Sequence, residues 1–253
     1  MGRKASIKTE AELRIIARAA RVVALVLEEI KPYIRPGIST LEVNRIAEEI
    51  IAREGGIPKF KGYRGFPAAI CASVNEEVVH GIPKAEKILF PGDILSVDVG
   101  VEMNGYCGDG AATFPVGEIS EEADKLLRVT KEALELGIKS AVSSNRVSDI
   151  SRAVQRHVEK NGYSVVRALV GHGVGRDLHE EPQIPNYVVK GGKNPKLKNG
   201  MVLAIEPMVN VGVYDVVFEG QWNTRSKDRS LSAHFEHTVA VTKSGPKILT
   251  RVR

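Results

Sequence analysis

The sequence predicts an α+β fold in which a unit of two helices followed by strands occurs twice, related by a pseudo-twofold repeat that forms one curved mixed sheet. Three observations predict it. Apolar residues at helical spacing occupy two pairs of segments, and each pair is followed by short alternating stretches separated by turn residues. A shift of 107 residues carries Val43, Ala47, Ile51 and Gly55 onto Ile150, Val154, Val158 and Gly162, the faint echo of an internal duplication. Residues 94–109, ILSVDVGVEMNGYCGD, read as a long central hairpin. The halves run roughly over 7–118 and 119–253 with no linker between them, so residues 1–253 are expected to form a single domain.

Thr9 and Glu12 make a capping box, and Leu13, Ile16, Ala20, Val23, Ala24 and Leu27 keep helical spacing until Pro32, which defines the first helix. Ser39 and Glu42 make a second box. Behind it Val43, Ile46, Ala47, Ile50 and Ile51 carry the second helix to Gly55-Gly56. Short strands fill 60–114. A third helix spans 121–139 with Ala123, Leu126, Leu127, Leu134 and Ile138 inward, and a fourth spans 148–160 with Ile150, Val154 and Val158 before Asn161-Gly162. His157 falls on that last stripe and is expected to pack in the core. Strands follow from residue 164 onward.

In the hairpin, Asn104-Gly105 is the pair that a type I′ turn demands, because both central residues need positive φ. That register sets Met103 opposite Tyr106, Gly100 opposite Asp109 and Asp98 opposite Ala111. Asp98 and Asp109 are then diagonal neighbours leaving the sheet on one side. Two carboxylates so close, flanked by Val97, Val99 and Val101, repel unless a cation lies between them or one stays protonated. Alone, such a hairpin reads as a solvated turn with two surface acids. The residues downstream tip the balance to a metal.

With 43% hydrophobic and 26% charged residues, and no apolar run near the roughly 18 residues of a membrane span, the chain reads as a soluble globular protein without membrane contact. The start, MGRKASIKTE, has no apolar core for a signal peptide, which points to the cytoplasm. Gly2 and Ser6 match the loose N-myristoylation pattern, which is short enough to be read as a basic start instead. Cys71 and Cys107 offer no disulfide framework and are not expected to bind metal. The net charge of +5 includes Lys190, Lys193, Lys196 and Lys198 in one Gly- and Pro-rich loop. Such a run is usually a solvated loop, although it suits an acidic partner.

The remaining chemistry lies in GHGVGRDLHEEP at 171–182, AIEPMV around Glu206, and SLSAHFEHTVAVT at 230–242. Strand alternation puts His234 on the face of Glu236 and turns His237 to the other. Asp98, Asp109, His172, Glu206 and Glu236 form a hard, oxygen-rich set with one nitrogen, suited to manganese, iron, cobalt or zinc. Four carboxylates exceed the charge that one divalent cation balances, which argues for two ions.

These motifs closely resemble those of the type I methionine aminopeptidases, of the creatinase or "pita-bread" fold. The likeness runs from about Ile7 to the C-terminus and rests on HGIP at His80, the Asp98 and Asp109 hairpin, GHGVGR with His172, HEEP with His179, IEP with Glu206 and EHT with Glu236. It implies that Asp98, Asp109, His172, Glu206 and Glu236 bind two divalent metal ions, and that His80 and His179 flank the scissile bond. It also places Tyr63, Phe66, Cys71, Leu178 and Trp222 around the first side chain of the substrate. The chain lacks the zinc-binding N-terminal extension of eukaryotic type I enzymes and the helical insert of type II, so it looks like the short bacterial form. Two features depart from the pattern. Tyr63-Arg64-Gly65 stands where relatives commonly read Tyr-His-Gly, and Gln221 is an apparent insertion before Trp222.

The resemblance implies removal of the N-terminal methionine of nascent proteins when the second residue is small, by a metal-acidified water with Glu206 as proton shuttle and His179 on the oxyanion. Met1-Gly2 would itself be a substrate. A monomer is expected, with the basic loops available to the ribosome surface and no sequence-specific nucleic-acid binding. An Xaa-Pro peptidase shares the fold and metal set but normally carries a large N-terminal domain, and only about forty residues precede the second capping box. A non-catalytic binding protein of the same fold is the other rival. Such relatives tend to lose metal ligands, whereas all five are present here.

Overall fold

The structure, a computed structural model, describes residues 5–252, so Met1 and Gly2, with the acylation pattern and the self-processing site, lie outside the described residues. Helix α1 spans Glu10–Glu29, α2 Thr40–Arg53, α3 Glu121–Lys139 and α4 Val147–Lys160. The two pairs have nearly matched lengths, 20 and 14 residues against 19 and 14, as a duplicated unit should.

The capping box of α1 is complete, with the Thr9 N–H donating to Glu12 at 2.8 Å and the Glu12 N–H donating back to Thr9 Oγ1 at 3.3 Å. That of α2 is half formed. Ser39 accepts from the Glu42 N–H, but the Glu42 carboxylate turns outward to Arg45, a cation one turn on that offers two donors. His157 does not pack in the core. Its ring is partly exposed and bonds Glu132 at 2.9 Å, tying α4 to α3. The polar edge of the α4 stripe faces a neighbouring helix surface where a carboxylate was within reach, so the imidazole took a partner rather than an apolar wall.

The hairpin register is as the turn chemistry requires, with Asp98 opposite Ala111 and Gly100 opposite Asp109, and with Asn104 and Gly105 at φ 50° and 75°. Because side chains alternate, Val97, Val99 and Val101 turn to the opposite face and are fully buried with Val23 and Val26 of α1 and Val43, Ala47 and Ile51 of α2. Gly108 shares that face. A Cβ there would lie 2.4 Å from the Ala20 backbone nitrogen, so only glycine lets α1 rest flush against the strand that carries Asp109.

The second half repeats the plan. Leu134 and Ile138 of α3 and Ile150 of α4 bury against Leu203, Ile205, Val239 and Val241 of the strands Val202–Ile205 and His237–Thr242. Every strand pairing among the described residues is antiparallel. The expected curved sheet is divided into separate ladders, the longest path running through five strands. Its halves meet where Glu236 and Ala111 exchange backbone hydrogen bonds. A further apolar cluster, including Ile16, Phe66, Cys71, Leu178, Val202 and Ala240, crosses the seam and forms the floor of a cleft.

Candidate metal and substrate site

A cleft of about 700 Å³ opens above that seam. Into it project Asp98 and Asp109 from the hairpin, His172 from the strand Gly171–Gly173, Glu206 from the end of Val202–Ile205, and Glu236 from the bend between Ser232–His234 and His237–Thr242. Candidate ligand atoms of Asp109, His172 and Glu236 lie within 4.8 Å of one another. His172 Nε2 is 3.4 Å from Glu206 Oε1 and 3.8 Å from Asp109 Oδ2.

The four carboxyls are held out of water, and burial is the main force that raises their pKa values. Asp98 is pushed up to about 7. Asp109, Glu206 and Glu236 go well above the usual carboxylate range, first by burial and then by repulsion from neighbouring carboxyls, Asp98 among them in each case. One oxygen each of Asp98, Asp109 and Glu236 is buried with no hydrogen-bond partner. Orphaned buried carboxylate oxygens are costly, and a divalent cation satisfies them all at once. The donor set therefore fits a hard or borderline divalent metal.

The histidine of the set is prepared as a ligand. His172 Nδ1 lies 2.9 Å from the Gly173 carbonyl, an acceptor only, so the proton is on Nδ1 and Nε2 presents its lone pair to the carboxylates. Burial holds its pKa down at about 3, which keeps the ring neutral. Asp109 is braced by Thr238, whose hydroxyl donates to the Asp109 carbonyl at 2.6 Å and accepts from the Asp109 N–H at 2.9 Å. The threonine follows Glu236 by two residues in EHT. Its role was not legible in the sequence, since a strand threonine is ordinary.

His234 and His237 separate as strand alternation requires. His234 is buried with Nε2 3.8 Å from Glu206 Oε2, and burial pushes its pKa down to about 3. His237 turns away to Thr250, 2.8 Å off.

The residues that the sequence assigns to substrate line the same cleft: Tyr63, Phe66, Cys71, His80, Leu178, His179 and Trp222. Phe66, Cys71 and Leu178 form its buried wall, with the Trp222 ring edge-on to Phe66 at 5.3 Å and to His80 at 6.4 Å. The apparent insertion leaves Trp222 facing the cleft, and Gln221 beside it donates to the Arg64 carbonyl at 3.1 Å. Burial raises the Cys71 thiol well above its ordinary value, so it lines the wall as an uncharged group. Phe60, Val79 and Met208 also line the cleft and were not anticipated, because isolated apolar residues carry no motif.

His80 sits in the left-handed region at φ 60° and precedes Gly81, where a Cβ would lie 2.4 Å from the Ala72 carbonyl oxygen. That close approach fixes the HGIP turn over the cleft. His179 is exposed at the cleft and packs against His172, with ring centroids 4.3 Å apart and planes tilted by 54°. Its Nδ1 lies 3.0 Å from the Tyr63 hydroxyl. Partial desolvation, then the charges of Arg64 and His80, bring its pKa down to about 4, so the ring is neutral near pH 7.

The signature of "Metallopeptidase family M24" matches residues 14–243. The chain is 54% identical over 246 residues to "Methionine aminopeptidase 1" of Bacillus subtilis (strain 168), covering 97% of this chain and 98% of that one. It is 50% identical over 245 residues to "Methionine aminopeptidase" of Clostridium acetobutylicum, covering 96% and 98%. The crystal structure of methionine aminopeptidase from Thermotoga maritima superposes with a TM-score of 0.96 at 46% identity, over 98% of this chain and 100% of that one. The prolidase from Pyrococcus furiosus shares the fold at a TM-score of 0.78 and 23% identity, this chain covering 66% of its length. An M24 signature across most of the chain, on a fold whose cleft gathers four buried carboxylates and a neutral imidazole, makes this protein a member of metallopeptidase family M24 and, within it, of the methionine aminopeptidases.

Proposed function

We infer that the protein is a metal-dependent aminopeptidase that removes the N-terminal methionine of nascent proteins when the second residue is small. The observation that carries this reading is the set of orphaned buried carboxylate oxygens beside an apolar wall and two neutral histidines. Asp98, Asp109, His172, Glu206 and Glu236 hold two divalent ions, drawn from cobalt, manganese, iron or zinc. Bound there, the ions supply Lewis acidity and bring a water to a reactive pKa near neutral pH.

The chain's own groups do the rest. Glu206, which projects into the cleft, accepts the proton that the attacking water gives up and passes it to the leaving amine. His179 donates from Nε2 to the developing oxyanion. When the Tyr63 hydroxyl donates to Nδ1, the proton stays on Nε2, facing the cleft. His80 holds the peptide backbone near the scissile bond. Tyr63, Phe66, Cys71, Leu178 and Trp222 take the methionine side chain and keep water from it.

No helix among the described residues is long and apolar enough to cross a membrane. We read the protein as a cytoplasmic, single-domain monomer; of these, two free buried cysteines support the reducing compartment. Lys190, Lys193, Lys196 and Lys198, all exposed, are the proposed ribosome contact, and charge reversal there should weaken cosedimentation with ribosomes at low salt. The function itself is tested by turnover of a Met-Gly peptide with and without chelator. Turnover that survives complete metal removal would overturn the reading.

A further inference from the structure

Arg64 is the residue at the cleft whose chemistry the reaction leaves unused. Among the described lining residues it is the sole lysine or arginine, against six carboxylates: Asp98, Asp109, Glu180, Glu181, Glu206 and Glu236. Glu180 is already engaged by Lys8 at 2.6 Å, and no ion pair among the described residues includes Arg64. Its guanidinium carbon lies 5.4 Å from the centroid of the Tyr63 ring, whose hydroxyl reaches His179. An exposed, permanently charged fork is thus held at the rim with free donors.

The backbone holds it there at a cost. Arg64 is left-handed, φ 48° and ψ 27°, a conformation that costs a non-glycine residue about 1–2 kcal/mol. Gly62 and Gly65 on either side take positive φ freely. The turn is closed by Gly62 N–H to Phe66 O at 2.8 Å, by Phe66 N–H to Tyr63 O at 2.9 Å, and by Gln221 on the Arg64 carbonyl. Strain retained in a rigid rim turn points to a position that works on the substrate.

On the reading proposed above, the scissile bond lies in the depth between His80 and His179, so residues beyond the second leave across the rim, where Arg64 is exposed. Resting on the methionine-removal reading above, we propose that Arg64 recognises a carboxylate on the departing part of the substrate, selecting peptides that carry an acidic group beyond the second residue. The carboxylate can be an aspartate or glutamate side chain or the free C-terminus of a short peptide. Both present two oxygens to the same fork.

The test measures kcat/KM of the metal-loaded protein on Met-Ala-Glu amide, Met-Ala-Gln amide, Met-Ala-Lys amide and Met-Ala-Gln free acid. An exposed pair of charges predicts roughly a two- to fivefold preference for Glu over Gln amide, carried by KM and shrinking as salt rises. A preference for the free acid over its amide would assign the C-terminal source, and one for Glu amide the side-chain source. In Arg64→Gln these ratios should fall toward one, while Arg64→Lys keeps part of them. Circular dichroism of each variant checks that the fold is intact. Ratios unchanged in Arg64→Gln, or a wild-type ratio of one with Met-Ala-Gln amide processed normally, overturn the inference alone. No methionine released from any peptide by the metal-loaded protein overturns the aminopeptidase reading beneath it as well.

Discussion

Glu236 and Ala111 pair directly across the seam between the two halves, the Glu236 N–H donating to the Ala111 carbonyl at 2.9 Å and the Ala111 N–H returning to the Glu236 carbonyl at 3.4 Å. Ala111 faces Asp98 on the neighbouring strand and lies two residues beyond Asp109. One backbone pair therefore sets the spacing between the carboxylates of the first half and those of the second.

Metal removal should consequently loosen the seam as well as stop the reaction. Without an ion the buried carboxyls favour their protonated forms, and a raised pKa in the folded state means that their contribution is present at low pH and lost as pH rises. For Asp98 that loss runs from its ordinary 3.8 up to about 7. An ion reverses this by binding the ionised forms. The melting-temperature difference between metal-loaded and chelated protein should thus be larger at pH 7.5 than at pH 5.5. An equal or smaller difference at pH 7.5 would exclude these carboxyls as the ligands.

Asp109→Asn and Glu236→Gln should each abolish turnover while leaving the fold intact, since both keep shape and lose the charge that a cation needs. Metal content by elemental analysis is the companion measurement. Full activity in either variant would remove that residue from the ligand set.

Legibility divides by range. Asn104-Gly105 fixed the hairpin register and the shared face of Asp98 and Asp109 by turn stereochemistry, and strand parity separated His234 from His237, because both are local rules. Two features needed the folded chain: the surface bond of His157 depended on Glu132 of another helix, and the brace of Asp109 on Thr238, 129 residues away. In both, a polar side chain met a partner that sequence spacing does not place beside it. The outward turn of Glu42 is local by contrast, since Arg45 lies three residues on along the same helix.

Gly108 tests how closely the helix layer controls the site. A methyl at Gly108 would meet the Ala20 backbone, and backbone cannot yield as a side-chain tip can. Gly108→Ala should destabilise the protein by about 1–3 kcal/mol in denaturant unfolding and lower metal affinity through the adjacent Asp109. A neutral effect would show that α1 can slide on the strand.

His179→Ala should lower kcat by about two to three orders of magnitude with little change in KM, because a donor to the oxyanion acts mainly in the transition state. Tyr63→Phe should cost less, and in kcat as well, since it frees the His179 tautomer without removing the ring. His237→Ala, on the far side with Thr250, should be nearly silent in kinetics. Loss confined to KM in His179→Ala would make that residue a binding group instead.

Specificity should follow the wall of the cleft. Phe66, Cys71 and Leu178 are almost fully buried there, and the edges of Trp222 and Tyr63 close the sides. A thioether gains roughly 0.3–1.5 kcal/mol against aromatic rings, and its unbranched chain adapts to an irregular slot. Leucine is branched at Cγ and should be rejected mainly by shape, about tenfold or more, the scale of a misfit methyl in such a pocket. A lysine head would be desolvated without a partner, because burial keeps Cys71 uncharged. At the second residue, His80 is locked by Gly81 against the Ala72 carbonyl, so the turn proposed to hold the substrate backbone cannot withdraw for a long side chain. Met-Gly, Met-Ala and Met-Ser peptides should turn over well, with Met-Leu and Met-Lys far behind. Leu-Gly and Lys-Gly complete the series. Faster release from Leu-Gly than from Met-Gly, or equal rates for Met-Gly and Met-Lys, would show that the wall is misassigned even where the metal chemistry stands.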